Sequence, residues 1–262
     1  MRTANVAIWH VNPTSLTQAE CITTLKTWLS HVEAERMMRF HHAKHQHAFL
    51  VSHALKRAVL AQILNLHPCS LEFGIGSHGR PHLLGLAQQR LQFNLSHTDG
   101  MVAMAVSQDA YVGFDIESLL RKAPEPDFAS RFFTPPEHQD ILSRPTHQQN
   151  QRLLEFWTLK EAYIKAEGLG ISLGLDTFYF QLDQAIPNIH YLPGAKAPSH
   201  PWQFLQTKIE PNHLTALAWA PNLNTNCTDE VSDDTNNFSN FSNEAWAVNC
   251  VVKSAQTLLE NY

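Results

Sequence analysis

Three short strand-like runs crowd the middle of this 262-residue chain, with only turn residues between them. They are Gln92–Ser96, Met101–Val106 and Tyr111–Glu117, and Thr98-Asp99-Gly100 folds the first two into a hairpin. Helical patterns lie on either side. Thr17–Ser30 carries Ile22, Leu25 and Leu29 on one face, and His47–Leu64 lines up Leu50, Ala54, Val59 and Ile63. Leu153–Glu167 is a helix that Gly168 stops. Val6–Trp9, Thr177–Leu182 and His213–Ala220 read as further strands. Asn222–Asn243 has almost nothing to bury and is expected to be a mobile loop, after which Trp246–Leu259 is apolar enough to dock back on the body.

Charge narrows the function classes. The net charge of −5 excludes a general nucleic-acid binder, which needs a basic surplus. An anionic ligand must then be met by a local cluster of bases. No apolar run reaches the roughly 20 residues that cross a bilayer, and the N-terminus lacks the apolar core of a secretion signal. Cys21, Cys69, Cys227 and Cys250 are far apart without a CxxC pair, which suits free thiols. A cytoplasmic protein is expected.

Three segments could carry chemistry. In a strand, Asp115 and Glu117 project to one side while Phe114 and Ile116 project to the other. The pair reads either as two solvated acids at a strand end or as mutually repelling carboxylates that a Mg²⁺ ion would relieve. On the helix, Trp157, Glu161 and Lys165 fall four residues apart along one face. Glu161 could add a third metal oxygen and Lys165 a positive charge, or the two could form an ordinary Glu–Lys surface pair. Ser96-His97 ends a strand; neighbours there point to opposite faces, which suits phosphate contacts better than a Ser–His catalytic bond. Two other patterns carry no site. Gly74-Ile75-Gly76-Ser77-His78-Gly79 matches GxGxxG, but Arg80-Pro81 follow where a helix should run. The histidines 41, 42, 45 and 47 lack a carboxylate or thiolate partner in their tract.

Together these segments resemble the Sfp-type 4′-phosphopantetheinyl transferase family. The matching pieces are Phe93–Thr98, Val112–Glu117, Arg131-Phe132-Phe133 with Glu137, and Trp157–Gly168, in that order, within a similarity that runs from about Arg36 to Leu182. The resemblance implies an α+β fold, a pseudo-dimer of two similar α+β halves with the active site at their junction. The halves would be 1–110 and 111–221, with 222–262 as a polar loop and C-terminal extension, in a monomer. It also implies transfer of phosphopantetheine from coenzyme A to a serine of an apo acyl or peptidyl carrier protein, as in fatty-acid, polyketide or nonribosomal-peptide synthesis. Asp115, Glu117 and Glu161 would hold Mg²⁺, for which Mn²⁺ can substitute. Asp115, Glu161 and Lys165 would be catalytic, Glu161 as base for the carrier serine and Lys165 toward the leaving adenosine 3′,5′-bisphosphate. Ser96, His97, Lys160 and Arg80 would touch coenzyme A. Where the family usually has two basic residues this chain has Ala43 and Ala48, leaving Lys44, His42, Arg39 and Arg36 as sources of 3′-phosphate contacts. The same acidic trio would also suit a Mg²⁺-dependent phosphoesterase, which would need no carrier.

Overall fold

The computed structural model describes residues 2–85, 91–122, 132–222 and 246–260. The chain opens with β1 (Arg2–Val11) and three helices, α1 (Ala19–Trp28), α2 (His31–Met38) and α3 (Ala43–Leu64). A small hairpin, β2 (Phe73–Ile75) with β3 (Pro81–Leu83), precedes the central strands β4 (Gln92–Thr98), β5 (Met101–Ser107) and β6 (Ala110–Ser118). Then come α4 (Pro135–Ser143), α5 (Thr146–Glu167), the hairpin β7 (Phe178–Gln181) and β8 (Asn188–Tyr191), β9 (Gln203–Ile209) and β10 (His213–Pro221). β11 (Trp246–Ser254) and α6 (Gln256–Glu260) close the described chain. The GxGxxG stretch forms the β2–β3 hairpin, not the start of a helix.

The two-half expectation holds. In the first half α3 lies on a sheet of order β11-β1-β5-β4; in the second α5 lies on a sheet of order β6-β10-β9. Each long helix has 22 residues. Strand alternation explains how the halves meet. On β1, Val11 joins Leu50, Leu55 and Val59 under α3, while Val6 and Ile8 face the other way. Those two pack with Met101 and Ala103 against Val112, Phe114, Ile116, Leu217 and Trp219 of the second sheet. A third core therefore lies between the sheets, and β4 runs beside β6.

The two strands belong to different sheets, so side chains replace the missing backbone ladder. Asn94 Oδ1 accepts from the Phe114 amide at 3.0 Å, and Thr98 Oγ1 accepts from the Ser118 amide at 3.2 Å. On the other face of β6, Gly113 lets α5 approach closely: a Cβ there would stand 2.1 Å from the Ala162 carbonyl oxygen.

Helix ends differ from the sequence expectation for identifiable reasons. α3 and α5 begin at Ala43 and Thr146, ahead of the expected His47 and Leu153, because their first turns are polar and carry no apolar stripe. α2 is absent from the expected elements; of its eight residues only Met37 is buried, and a Ser30–Glu33 capping box starts it. The apolar C-terminal segment docks on the first half: β11 pairs in parallel with β1 from Arg2↔Trp246 to His10↔Ser254, and Ala255 and Leu259 enter the α3 core. The expected loop lies, from residue 223 onward, outside the described residues, as does Arg131.

Candidate functional site

β4, β6 and α5 converge where the halves meet. Ser96 on β4 donates to Asp115 Oδ1 at 2.8 Å, and Lys165 on α5 donates to the same oxygen at 2.7 Å and to Ser96 Oγ at 2.9 Å. Glu117, two residues along β6, accepts from Thr98 Oγ1 at 3.1 Å and pairs with Arg121 at 2.5 Å. Asn94, Ser96 and Thr98 thus point at β6 from alternate positions, as the period of a strand requires.

Negative charge is in excess here. Burial, and then the charge of Asp115, push the Glu117 carboxyl above its ordinary range against the pull of Arg121, Thr98 and Trp157. Burial, then Asp115, also raise Glu161, with Lys165 opposing and Glu117 adding. The second Asp115 oxygen, Oδ2, is buried without a hydrogen-bond partner. A buried carboxylate oxygen without a donor, beside two acids that resist ionising, is the environment a hard divalent cation relieves. The three acids do not make a complete cage: among the described residues no three His, Cys, Asp or Glu side chains are gathered closely enough to hold an ion alone. That suits Mg²⁺, which is usually held by one or two carboxylates together with substrate phosphates and waters.

An open cavity of about 1380 Å³, large enough for a nucleotide-sized ligand, reaches the site at Glu117. Glu117, Arg121, His97, Lys44, Arg36, His45 and His53 line it. Partial desolvation, with Lys165 next in effect, lowers the His97 imidazole below its ordinary value while Asp115 opposes. Lys44 sits on the rim and is paired with Asp99 at 2.6 Å.

Four expected ligand contacts lie off the cavity wall. Ser96 is buried, with its hydroxyl taken up by Asp115 and Lys165. Lys160 is wholly buried in the second half, where Nζ meets Glu137 at 2.8 Å and the Leu175 and Phe178 carbonyls at 2.6 and 2.8 Å. It faces away from Glu161 because adjacent helical residues are about 100° apart. Arg39 caps α2 in an exposed position outside the cavity lining, which Arg36 joins instead. Arg80 is not on the cavity wall: its guanidinium donates to the carbonyls of Lys165 (3.2 Å), Ala166 (3.0 Å) and Val112 (3.0 Å). Sequence reasoning passed over Thr98, Arg121 and His53. For Thr98 a signal existed, since Asn94-x-Ser96-x-Thr98 repeats at the strand period opposite Asp115-x-Glu117. Arg121 falls four residues after Glu117, a local spacing that could have been read; for His53 there was no signal, because its partner Glu33 lies 20 residues away and is brought to it by packing.

Comparison with known proteins shows the family of the chain. Residues 111–218 match the family model described as 4′-phosphopantetheinyl transferase superfamily, and residues 15–109 match 4′-phosphopantetheinyl transferase, N-terminal. The chain is 32% identical to 4′-phosphopantetheinyl transferase HetI of a Nostoc species over 219 residues, 82% of this chain and 87% of that one. It is 30% identical to 4′-phosphopantetheinyl transferase Sfp of Bacillus subtilis over 195 residues, 74% of this chain and 83% of the relative. A further 4′-phosphopantetheinyl transferase of Bacillus subtilis is 34% identical over 148 residues, 56% of this chain and 64% of that protein. The boundary between the two models falls at residue 110, where β6 begins.

Proposed function

This chain belongs to the 4′-phosphopantetheinyl transferase superfamily, and we propose that it carries out transfer at the junction of its halves, with Asp115, Glu117, Glu161 and Lys165 as the working groups. The reaction moves 4′-phosphopantetheine from coenzyme A onto a serine of an apo carrier protein and releases adenosine 3′,5′-bisphosphate. The observation that carries the reading is the Ser96–Asp115–Lys165 network beside two carboxylates raised by burial and by the charge of Asp115.

Asp115, Glu117 and Glu161 would supply oxygens to Mg²⁺, or to Mn²⁺ in its place. The bound ion would neutralise pyrophosphate oxygens and orient them for in-line displacement. Glu161 takes the proton of the carrier serine, directly or through a water, and its raised pKa brings it nearer to working pH as a base. The serine oxygen bonds to the phosphorus that carries the pantetheine arm, and the bond from that phosphorus to the bridging oxygen breaks. Lys165, held on Asp115, offers positive charge to the departing phosphate. Arg36 and Lys44 give an otherwise acidic chain local cations for the coenzyme A phosphates, and the His97 and His45 rings offer hydrogen-bonding nitrogens beside them. The protein acts as a cytoplasmic monomer on this reading; no described helix is long and apolar enough to cross a membrane.

The test is mass spectrometry of apo acyl and apo peptidyl carrier proteins incubated with the protein, coenzyme A and Mg²⁺. A gain of one phosphopantetheine on a carrier, with equimolar adenosine 3′,5′-bisphosphate, is expected. Release of the bisphosphate without carrier would instead mark a hydrolase.

A further inference from the structure

Arg80 holds a position that neither the family match nor the cavity explains. It leaves the β2–β3 hairpin of the first half and ends in the second half, where it meets two different elements. One guanidinium nitrogen donates to the Lys165 and Ala166 carbonyls at the end of α5, and the other donates to the Val112 carbonyl of β6. These helix carbonyls have no partner within the helix. α5 stops at Gly168, whose left-handed φ of 68° lets its amide return only to the Ile164 carbonyl. A cation at this end also complements the helix dipole.

The surroundings show what the contact costs. Burial works against the charge of Arg80, and among the described residues no carboxylate pairs with it. The charge is balanced by carbonyl dipoles alone, and the planar fork spans two elements as an ammonium could not. Those elements are the ones that carry the reacting pair. Three residues beyond Val112 is Asp115; on the helix, Lys165 itself supplies one of the captured carbonyls. Gly113 and Ala162 already press the helix and strand together at this point.

We propose that Arg80 is a positioning residue, which clamps the end of α5 to β6, fixes Lys165 on Asp115, and acts on transfer through that pair and not by binding coenzyme A. The inference rests on the function proposed above only for its kinetic readout.

The experiment uses Arg80→Met and Arg80→Lys in the full chain, with kcat and KM measured for coenzyme A and for dephospho-coenzyme A. The expected result for Arg80→Met is a kcat about 10- to 100-fold lower, the scale of a misplaced catalytic group. KM for both donors should stay within about twofold, since no uniform binding is lost. Arg80→Met combined with Lys165→Met should be no slower than Lys165→Met alone, because Arg80 works through Lys165. Hydrogen exchange gives a readout free of turnover: amides of residues 164–169 should exchange faster in Arg80→Met. A KM that rises for coenzyme A but not for dephospho-coenzyme A would make Arg80 a 3′-phosphate contact and overturn the proposal. Multiplying losses in the double variant, or unchanged exchange at the helix end, would overturn it too. If Arg80→Met does not fold, Arg80→Lys, which keeps the charge but cannot span both elements, carries the same readouts. An inactive wild type would sink the proposed function, while the exchange result would still decide whether the clamp exists.

Discussion

The buried charges of the first half and those at the junction are organised in opposite ways. In the first half, Glu33 between α2 and α3 accepts from His53 at 2.7 Å, Lys56 at 2.9 Å, Arg57 at 2.8 Å and the Ser30 amide at 2.9 Å. Burial alone would raise its pKa, but the His53 hydrogen bond, the Lys56 charge and the Ser30 amide together hold it far below the carboxylate range. The second half has a similar closed group, with Glu137 taking Lys160, the Thr134 amide and hydroxyl, and the Phe180 amide. At the junction three carboxylates face Lys165 and Arg121, two of the acids are pushed upward, and one oxygen has no donor. A network that satisfies itself holds elements together. One left in carboxylate excess is completed by a ligand, and only the second kind is expected to be a site.

The largest effect should come from the open network. Asp115→Ala removes the oxygen that positions Lys165 together with the one that has no partner. Transfer is expected to fall by about 10³-fold or more, the range of a lost acid–base or electrostatic group. Thermal unfolding should stay near that of the unaltered protein. EDTA should stop the wild-type reaction, and Mg²⁺ or Mn²⁺ should restore it. Near-normal turnover of Asp115→Ala at limiting Mg²⁺ would break the contrast between the two kinds of network.

Closed networks should fail in stability instead. Glu137→Ala leaves Lys160 charged and wholly buried, a loss on the order of 3–5 kcal/mol. In a chain of this size that corresponds to roughly 10 °C in Tm. The KM for coenzyme A of the folded enzyme should not change. If Lys160→Met kept the Tm and raised that KM, the lysine would belong to the site after all.

How much of this was legible from residues follows the same division. Asp115, Glu117, Glu161 and Lys165 could be read because their spacings match the strand and helix periods, and β6 and α5 were recognisable by pattern. Lys160 sits beside Glu161 in the same motif, and nothing in its sequence neighbourhood shows that it turns inward, since its partner Glu137 lies 23 residues away. Arg80 misled for a related reason: a Gly- and Pro-bounded loop suggests an exposed arginine, whereas the halves close over it. The parallel pairing of β11 with β1 joins residues about 244 apart, beyond any local signal.

Acid should separate the networks by sign. The folded-state pKa of Glu33 is depressed, so its stabilisation is present above the unfolded value near 4.3 and fades as pH falls below it. Glu161 is raised, so its ionised form opposes folding at neutral pH and that opposition is relieved as pH falls through the raised value. Without metal, Glu33→Gln should therefore lower the Tm at pH 7, with the deficit shrinking in acid below about pH 4. Glu161→Gln should raise the Tm at pH 7, with the gain vanishing as pH falls toward about 4.3. Melting curves of the three proteins from pH 7 to pH 3.5 check both. Matching signs would mean that Glu161 is as well satisfied as Glu33.

The smallest effect is expected at the rim, where Lys44 and Asp99 form an ion pair with side chains 70% and 77% exposed. Pairs so open to water contribute little to stability, so neither Lys44→Ala nor Asp99→Asn should move the Tm measurably. Their influence should be on the anionic donor. Lys44 is one of few cations lining the cavity of an acidic chain, and Asp99 holds it by its Nζ. Lys44→Ala removes positive potential and should raise the KM for coenzyme A about two- to threefold, with kcat unchanged. Asp99→Asn frees the ammonium and should shift KM the other way by a similar factor. Both shifts should shrink between 50 and about 300 mM salt, because screening at these exposed positions reaches the separation of ligand and side chain. Equal KM values for the two variants at low salt would show that Lys44 does not face the donor, and would leave Arg36, His45 and His97 to meet its phosphates.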